Sequence, residues 1–452
     1  MGELFGTDGI RGRAGTGWLT EAAARRIGAT LGRTVASDGQ ARALLGHDGR
    51  RSGPHLEAAM AAGLADAGVA CTSAGLITTP GLALLGRIDG FDVTVMLSAS
   101  HNPAQDNGIK IFGPGGTKLS DELEAELEAA LVAQGLPDEA IDPHQHEVLE
   151  ADPDLEEQYA QLLLGHVEGL ELTGLDLVVD CSNGGGSRVA PKVFGRLGAV
   201  VHAIAAEPDG DNINAGCGAT DLGLLRQEVR RLGARVGVAL DGDGDRCILV
   251  DEAGEVVHGD GILTVVAGDA MERGLWTDPR VVATVMSNKG LHRALRAVGV
   301  GVETVGVGDR HVVAGLKAEG LPLGGEQSGH VIFGDDLFHI GDGIYTALRV
   351  LAVMRRTGKP LSELAAPYRA FPQVLLNLHV ASKPPLDEVP GLADAVAACE
   401  AELGEDGRVL LRYSGTEDLA RVMVEGPDAD RIDAMAREMA AIIDKAIGAA
   451  TA

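Results

Sequence analysis

The sequence predicts an α/β protein of several strand-and-helix units with largely parallel sheets, closed by a smaller α+β unit, four domains in all. Three observations predict it. An apolar, β-branched strand running into a Ser/Asn/Asp/Gly loop and then into a helical pattern recurs along most of the chain, which is how α/β units with function at strand C-terminal ends read. The 452 residues exceed a single hydrophobic core, and about three domains follow from length alone. The tail drops the alternation: strands near 373–380, 408–412 and 419–424 precede a helix carrying Ile432, Met435, Met439, Ile442 and Ile443 on one face.

In chain order, the first clear unit is the strand 92–97 entering Ser98-Ala99-Ser100-His101-Asn102-Pro103, and the second is 175–180 entering Cys181-Ser182-Asn183-Gly184-Gly185-Gly186. Val236 to Leu240 then enters a cluster of aspartates, and 280–285 enters Met286-Ser287-Asn288-Lys289-Gly290. Acidic or Pro/Gly-punctuated breaks near 137–153, 251–259 and 365–372 divide the chain into expected domains 1–152, 153–253, 254–368 and 369–452.

Composition narrows the function. A formal net charge of −28 argues against a nucleic-acid backbone or an anionic membrane as partner, and 3% aromatic residues leave little for base stacking. An anionic substrate therefore needs local Arg and Lys gathered among Gly, Ser and Thr. The five cysteines are widely spaced and read as reduced, mostly buried thiols. No apolar leader precedes Arg13 and no run spans a bilayer, so a cytoplasmic location is expected.

The most informative stretch is Leu240-Asp241-Gly242-Asp243-Gly244-Asp245-Arg246. So much charge in so few residues calls for a cation, and all-oxygen ligation suits Mg²⁺, Mn²⁺ or Ca²⁺. The glycines let the backbone turn so that Asp241, Asp243 and Asp245 converge. A solvated turn is the plain alternative. An EF-hand loop matches at the three aspartates and at Glu252, but Arg246 stands at its sharp-turn glycine and strand patterns flank it where helices belong. A haloacid-dehalogenase-type phosphatase, with Asp241 as nucleophile, is the third reading.

Ser100 follows a buried-type strand beside His101, where a serine could split a difficult transfer into two steps through a covalent intermediate; an Asn-Pro turn with polar filling is the plain reading. Asp106-Asn107-Gly108 signals a turn, and Lys110 follows in an alternating strand, where it could face solvent. Arg412, Ser414, Gly415, Thr416 and Arg421 offer two guanidinium groups around a hydroxyl-rich loop, which suits a phosphate dianion. Glu326, Ser328 and His330 lie in the glycine-rich bend Gly324 to His330, whose donors and acceptors suit sugar hydroxyls.

Taken together, Phe5 to Gly12, the Ser100 loop with Asp106 to Lys110, the three-Asp loop, Gly325 to His330 and Ser414 to Glu417 resemble the α-D-phosphohexomutase superfamily, in its order and over essentially the whole chain. The N-terminal segment, Ser98 to Pro103 and Gly324 to His330 most resemble its bacterial branch acting on glucosamine phosphates. The resemblance implies three related α/β domains plus a smaller C-terminal α+β domain around a central cleft. It implies an isomerase interconverting glucosamine 6-phosphate and glucosamine 1-phosphate through phosphoserine and a sugar 1,6-bisphosphate, feeding UDP-N-acetylglucosamine and cell-wall precursors.

By the same resemblance, Ser100 is stored as phosphoserine, and one Mg²⁺ per chain binds Asp241, Asp243, Asp245 and the Ser100 phosphate. Glu326, Ser328 and His330 hold the sugar, while Arg412, Ser414, Gly415, Thr416 and Arg421 hold the phosphate that is not reacting. Lys110, His101 and Arg246 are candidates for proton transfer or charge stabilisation, and Arg11 braces the nucleophile loop. Glucose or glucosamine 1,6-bisphosphate is the implied activator, and the implied partner is a small sugar phosphate, with no nucleic acid or membrane and a monomer or homodimer as the assembly. Two positions depart from the pattern: His47 in Gly46 to Arg50, where the family often has Arg or Lys, and Asp418 in place of a common proline. A glucose or mannose phosphate mutase of the same superfamily is the nearest alternative, against which Gln327 weighs; a non-enzymatic Ca²⁺ module is more distant.

Overall fold

Four sheets organise the residues that the structure, a computed structural model, describes: 4–6, 9–35, 41–137, 146–334, 340–414 and 418–448. The first sheet contains β1 (Ile10–Arg13), β2 (Arg42–His47), β3 (Ala70–Leu76), β4 (Val93–Leu97) and β5 (Asp106–Phe112), ordered β1-β5-β4-β2-β3. The second contains β6 (Asp176–Asp180), β7 (Val200–Ile204), β8 (Val236–Leu240), β9 (Cys247–Asp251) and β10 (Val256–Val257), ordered β10-β9-β8-β6-β7. The third contains β11 (Arg280–Thr284), β12 (Gly301–Val305), β13 (Leu323–Gly325) and β14 (Val331–Phe333), ordered β12-β11-β13-β14.

One topology is used three times. In β3-β2-β4-β5, β7-β6-β8-β9 and β12-β11-β13-β14, the second and third strands so written are parallel neighbours, and the fourth returns antiparallel beside the third. The three α/β units are thus related, as expected. The sheets are mixed, however, where largely parallel ones were expected. The loop after the third strand is too short to hold the crossover that a parallel fourth strand requires, so the chain folds straight back.

That return loop is residues 98–105 in the first unit, 241–246 in the second and 326–330 in the third. The Ser100 loop, the three-Asp loop and the Glu326 to His330 loop therefore occupy equivalent places. β4 and β8, which deliver the first two, are buried along their whole length, as their uninterrupted apolar runs require. Asp106-Asn107-Gly108 is not a turn: it begins β5 and pairs with Gly12 and its neighbours in β1. Pairing with β1 takes backbone groups that a turn would otherwise satisfy internally.

The chain forms two units, one of residues Met1–Val285 with Glu303–Ala365, the other of Met286–Val302 with Ala366–Ala452. In the second, β15 (Gln373–His379), β16 (Arg408–Tyr413) and β17 (Leu419–Glu425) form an antiparallel sheet ordered β15-β17-β16. The helix Ala429–Ile447 covers it with Ile432, Met435, Met439 and Ile443 buried and Ile442 half-buried, the apolar face expected from the sequence. Asn288 ties the helix Lys289–Ala297 into this unit: its Nδ2 donates to the Phe371 carbonyl at 3.1 Å, and its Oδ1 accepts from the Phe371 N–H at 2.8 Å. All five cysteines are unpaired, four of them buried and Cys71 half-buried. No helix among the described residues is long and apolar enough to cross a membrane.

Candidate active site

β4 delivers Ser100 into the first unit at a left-handed φ of 52°, with the residue 1% exposed. Its Oγ donates to Asp241 Oδ2 at 2.7 Å and lies 3.3 Å from His101 Nδ1. The plain reading of this loop as polar filling around a turn does not explain why its hydroxyl is aimed at a carboxylate of another unit.

The three aspartates converge as their spacing implied. Ligand oxygens of Asp241, Asp243 and Asp245 all lie within 4.8 Å of one another, and the first two residues are fully buried. Strands β8 and β9 flank them, which removes the EF-hand reading. The two glycines do different work. Gly244 supplies a φ of 70°, whereas Gly242 gives room: a Cβ there would stand 2.5 Å from the Ser100 carbonyl oxygen.

Each carboxylate is partly committed. Asp241 Oδ1 accepts from the Arg246 N–H at 3.1 Å. Asp243 Oδ2 accepts from Lys110 Nζ at 2.7 Å and from Thr79 Oγ1 at 2.5 Å. Asp245 Oδ2 stands 3.6 Å from Lys110 Nζ and 3.7 Å from His330 Nδ1. Asp243 Oδ1 and Asp245 Oδ1 are buried with no hydrogen-bond partner, and buried oxygens without a donor are costly. Two such oxygens beside a third buried carboxylate fit a hard divalent cation, which would satisfy both at once.

The electrostatics say the same. Burial, then Asp245 and Asp243, push Asp241 well above the ordinary carboxylate range. Burial also opposes charge on Asp245, but Lys110 and then His330 outweigh it and hold that carboxyl well below the range. His330 is driven down by burial and up by Asp245, ending at about 9. Burial, with Arg246 and Arg11, lowers His101.

Lys110 is 2% exposed, because β5 is covered on both faces; the solvent-facing alternative does not hold. Arg11 pairs in register with Gly108 across β1 and β5. Lys110, Asp245 and His330 border a cavity of about 320 Å³ that also takes in Thr79, Lys118 and Arg310. Glu326 Oε1 accepts from the Gly308 N–H at 3.0 Å, while Ser328 and Gln327 are exposed. Sequence reasoning missed Thr79, which looks like an ordinary residue before Pro80 at a helix start, and whose partner Asp243 is far away in the chain.

His47, the departure noted above, is a half-buried residue at the end of β2. Its Nε2 lies 3.9 Å from Glu57 Oε2, and Glu57 Oε1 accepts from Ser73 Oγ at 2.5 Å. Burial and then Arg188 push His47 down to about 4, and burial pushes Glu57 up to about 7. Unfolded, the two groups share one proton between their ordinary values of 4.5 and 6.5; folded, a protonated Glu57 and a neutral His47 also hold one, so the pair adds no slope there. Glu57→Gln removes the compensation. His47, with its folded pKa depressed, then gains its proton only on unfolding, and stability relative to wild type is expected to fall as pH drops from about 6.5 to about 4, by roughly 3 kcal/mol in all. His47→Asn leaves Glu57, whose raised pKa reverses the sign: stability falls as pH rises from about 4.5 to about 7. Urea unfolding across this range checks both, and two profiles parallel to wild type would refute the pairing.

In the C-terminal unit, Arg412 and Arg421 are direct cross-strand partners in the β16 and β17 register. Like charges directly opposite are unfavourable, so an anion between them would be welcome. Ser414 is buried at the end of β16, and Gly415 and Thr416 lie outside the described residues.

Four family descriptions match in order: phosphoglucomutase/phosphomannomutase alpha/beta/alpha domain I over residues 2–136, domain II over 157–254, domain III over 258–371 and the C-terminal domain over 375–442. A phosphoglucosamine mutase of Rhodococcus opacus is 46% identical over 448 residues, 98% of this chain and 99% of that one. One of Anaeromyxobacter dehalogenans is 46% identical over 455 residues, 98% and 99% of the two chains. A solved phosphoglucomutase/phosphomannomutase family protein of Burkholderia thailandensis superposes with a TM-score of 0.77 at 25% identity, covering 97% of each chain.

Proposed function

We propose that this chain, which belongs to the phosphoglucomutase/phosphomannomutase family and within it to the phosphoglucosamine mutases, is an isomerase interconverting glucosamine 6-phosphate and glucosamine 1-phosphate by way of a phosphoserine at Ser100. The observation that supports this mechanism is the 2.7 Å hydrogen bond from Ser100 Oγ to Asp241, which suits Ser100 as a nucleophile beside carboxylates able to hold a cation. Nearly full-length likeness to glucosamine-specific relatives carries the choice of sugar.

Asp241, Asp243 and Asp245 would hold one Mg²⁺, which when bound draws charge from phosphoryl oxygens. The chain's own groups do the rest. Phosphoserine 100 gives its phosphoryl group to O1 of glucosamine 6-phosphate; after the bisphosphate turns over, its 6-phosphoryl group returns to Ser100 Oγ and glucosamine 1-phosphate leaves. Phosphoryl transfer of this kind depends more on positioning and charge than on covalent chemistry. His101, near Ser100 Oγ and held toward its neutral form, is the group suited to take up the proton of the attacking hydroxyl. Lys110 and Arg246 supply positive charge beside the triad, and Arg11 braces the loop.

Glu326, Ser328 and His330 would hold the sugar, with Arg412, Ser414, Gly415, Thr416 and Arg421 holding the second phosphate; the opposed Arg412 and Arg421 support that assignment. The bisphosphate itself, of glucose or glucosamine, serves as activator by loading Ser100. A cytoplasmic enzyme, monomeric or dimeric, suits this soluble substrate. Turnover of glucosamine, glucose and mannose 6-phosphates, compared side by side, tests the choice of sugar: the amino sugar is expected to be fastest, and a faster glucose or mannose phosphate would move the chain to a sister branch.

A further inference from the structure

We propose that Arg50 and Asn214 are positioning residues that clamp the Ser100 carbonyl and thereby hold the nucleophile in its left-handed conformation. This rests on Ser100 being the phosphoryl acceptor. A non-glycine residue at φ 52° is strained by about 1–3 kcal/mol and persists only where the surroundings over-determine it. The surroundings here do so through backbone groups.

Arg50 is fully buried. Its Nη2 donates to the carbonyls of Ser100 and Asn102, each at 2.9 Å, and its Nη1 donates to those of Asp106, at 2.9 Å, and Pro103. Its Nε donates to Asp48 Oδ2 at 2.8 Å. A guanidinium has five N–H groups, and the acceptors around this one include three carbonyls of the loop that carries Ser100 and the carbonyl of Asp106, where that loop enters β5. Asn214 adds a donor from the second α/β unit: its Nδ2 reaches the Ser100 carbonyl at 2.9 Å and that of Asn102 at 3.1 Å. Both lone pairs of the Ser100 oxygen are thus taken.

The amide side is held too. Ser100 N–H donates to Ser98 Oγ at 2.8 Å, and Ser98 Oγ donates to the same Asp48 oxygen at 2.6 Å. Only Oγ is left to face Asp241. Asp48 balances the charge of Arg50, so the guanidinium acts by geometry and not by its field. A loop that relaxed when Ser100 changed between hydroxyl and phosphate would carry Oγ off the triad. Both Arg50 and Asn214 hydrogen-bond Ser100 through its carbonyl and not its Oγ, which makes them positioning and not catalytic residues.

The test uses the full chain with Arg50→Lys, which keeps the charge but has fewer donors, and Asn214→Gly, which removes the donor at a half-buried position whose φ of 58° glycine adopts freely; Asn214→Ala is the second variant at that position. Each is expected to lower kcat by about tenfold or more, since small misplacements of reacting groups are expensive, with KM for glucosamine 6-phosphate little changed. Mg²⁺-dependent thermal stabilisation is expected to persist, while phosphopeptide mass spectrometry shows slower loading of Ser100 from glucose 1,6-bisphosphate. Wild-type kcat in folded Asn214→Gly, or a raised KM with kcat unchanged, would overturn the clamp. Ser100→Ala run in parallel separates the two failures: if it stays active, the nucleophile assignment falls and the clamp with it; if it is inactive while the clamp variants turn over normally, the clamp alone falls.

Discussion

Ser100→Ala is expected to lower conversion of glucosamine 6-phosphate by about 10⁴-fold or more, the scale on which a covalent nucleophile is lost, while leaving the fold in place. The substitution removes one buried oxygen and keeps Cβ. The backbone carbonyl and N–H of this residue, by which the loop is anchored, are untouched. What disappears is the group 2.7 Å from Asp241, and with it the site on which a phosphoryl group can wait between the two transfers. Ser98→Ala is the control. Its hydroxyl is equally buried but bonds to Asp48 and to the Ser100 amide, so its loss should weaken the loop and reduce turnover far less. Assays with sugar bisphosphate supplied in excess, together with phosphopeptide mapping, check the result. Phosphate found on Asp241, or turnover surviving in Ser100→Ala, would return the chain to the aspartyl-phosphate chemistry that the sequence alone left open.

How much of this was legible beforehand follows from the range of each signal. The buried strands β4 and β8 and the amphipathic helix Ala429–Ile447 announce themselves because apolar periodicity is local. The three aspartates are legible for the same reason: a cation site built within a few residues leaves its spacing in the chain. Lys110 was ambiguous, since a strand's alternation says that one face is buried but not which, and here β5 is buried on both faces. The sheets were read as largely parallel because each strand and helix alternates, and the short antiparallel return after the third strand leaves no periodic mark. Thr79, Arg50 and Asn214 were beyond reach. Each works through partners fifty or more positions away, or through backbone carbonyls, which carry no side-chain signature. The equivalence of the three return loops is likewise a property of topology; nothing in Ser98 to Pro103 resembles Asp241 to Arg246 as a string of residues.

Asp243→Asn separates the two things this carboxylate does. It bonds Lys110 and Thr79 through Oδ2, and it presents Oδ1 with no donor. An amide keeps the shape and one oxygen but removes the charge. Without a cation, that change cuts both ways: it relieves repulsion among three buried carboxylates, and it weakens the pair that neutralises Lys110. Asp245 still lies 3.6 Å from Lys110 Nζ, so the lysine keeps a counter-charge, and the thermal stability of the metal-free variant should stay close to wild type. The difference emerges with Mg²⁺. Wild type is expected to gain about 2.7 kcal/mol when the ion is at a hundred times its dissociation constant, and the variant, with one hard anionic ligand gone, is expected to gain little at the same concentration. Turnover should fall by at least about a hundredfold, as it does when one stabiliser of transition-state charge is removed. Lys110→Met gives the complementary case: it spares the ligands but takes from Asp243 the ammonium that hydrogen-bonds it, so the metal-free protein should lose about 3–5 kcal/mol and Mg²⁺ should restore part of it. Thermal unfolding of the three proteins with and without Mg²⁺ reads this pattern directly. An Asp243→Asn protein stabilised by Mg²⁺ as strongly as wild type would show that the ion binds elsewhere.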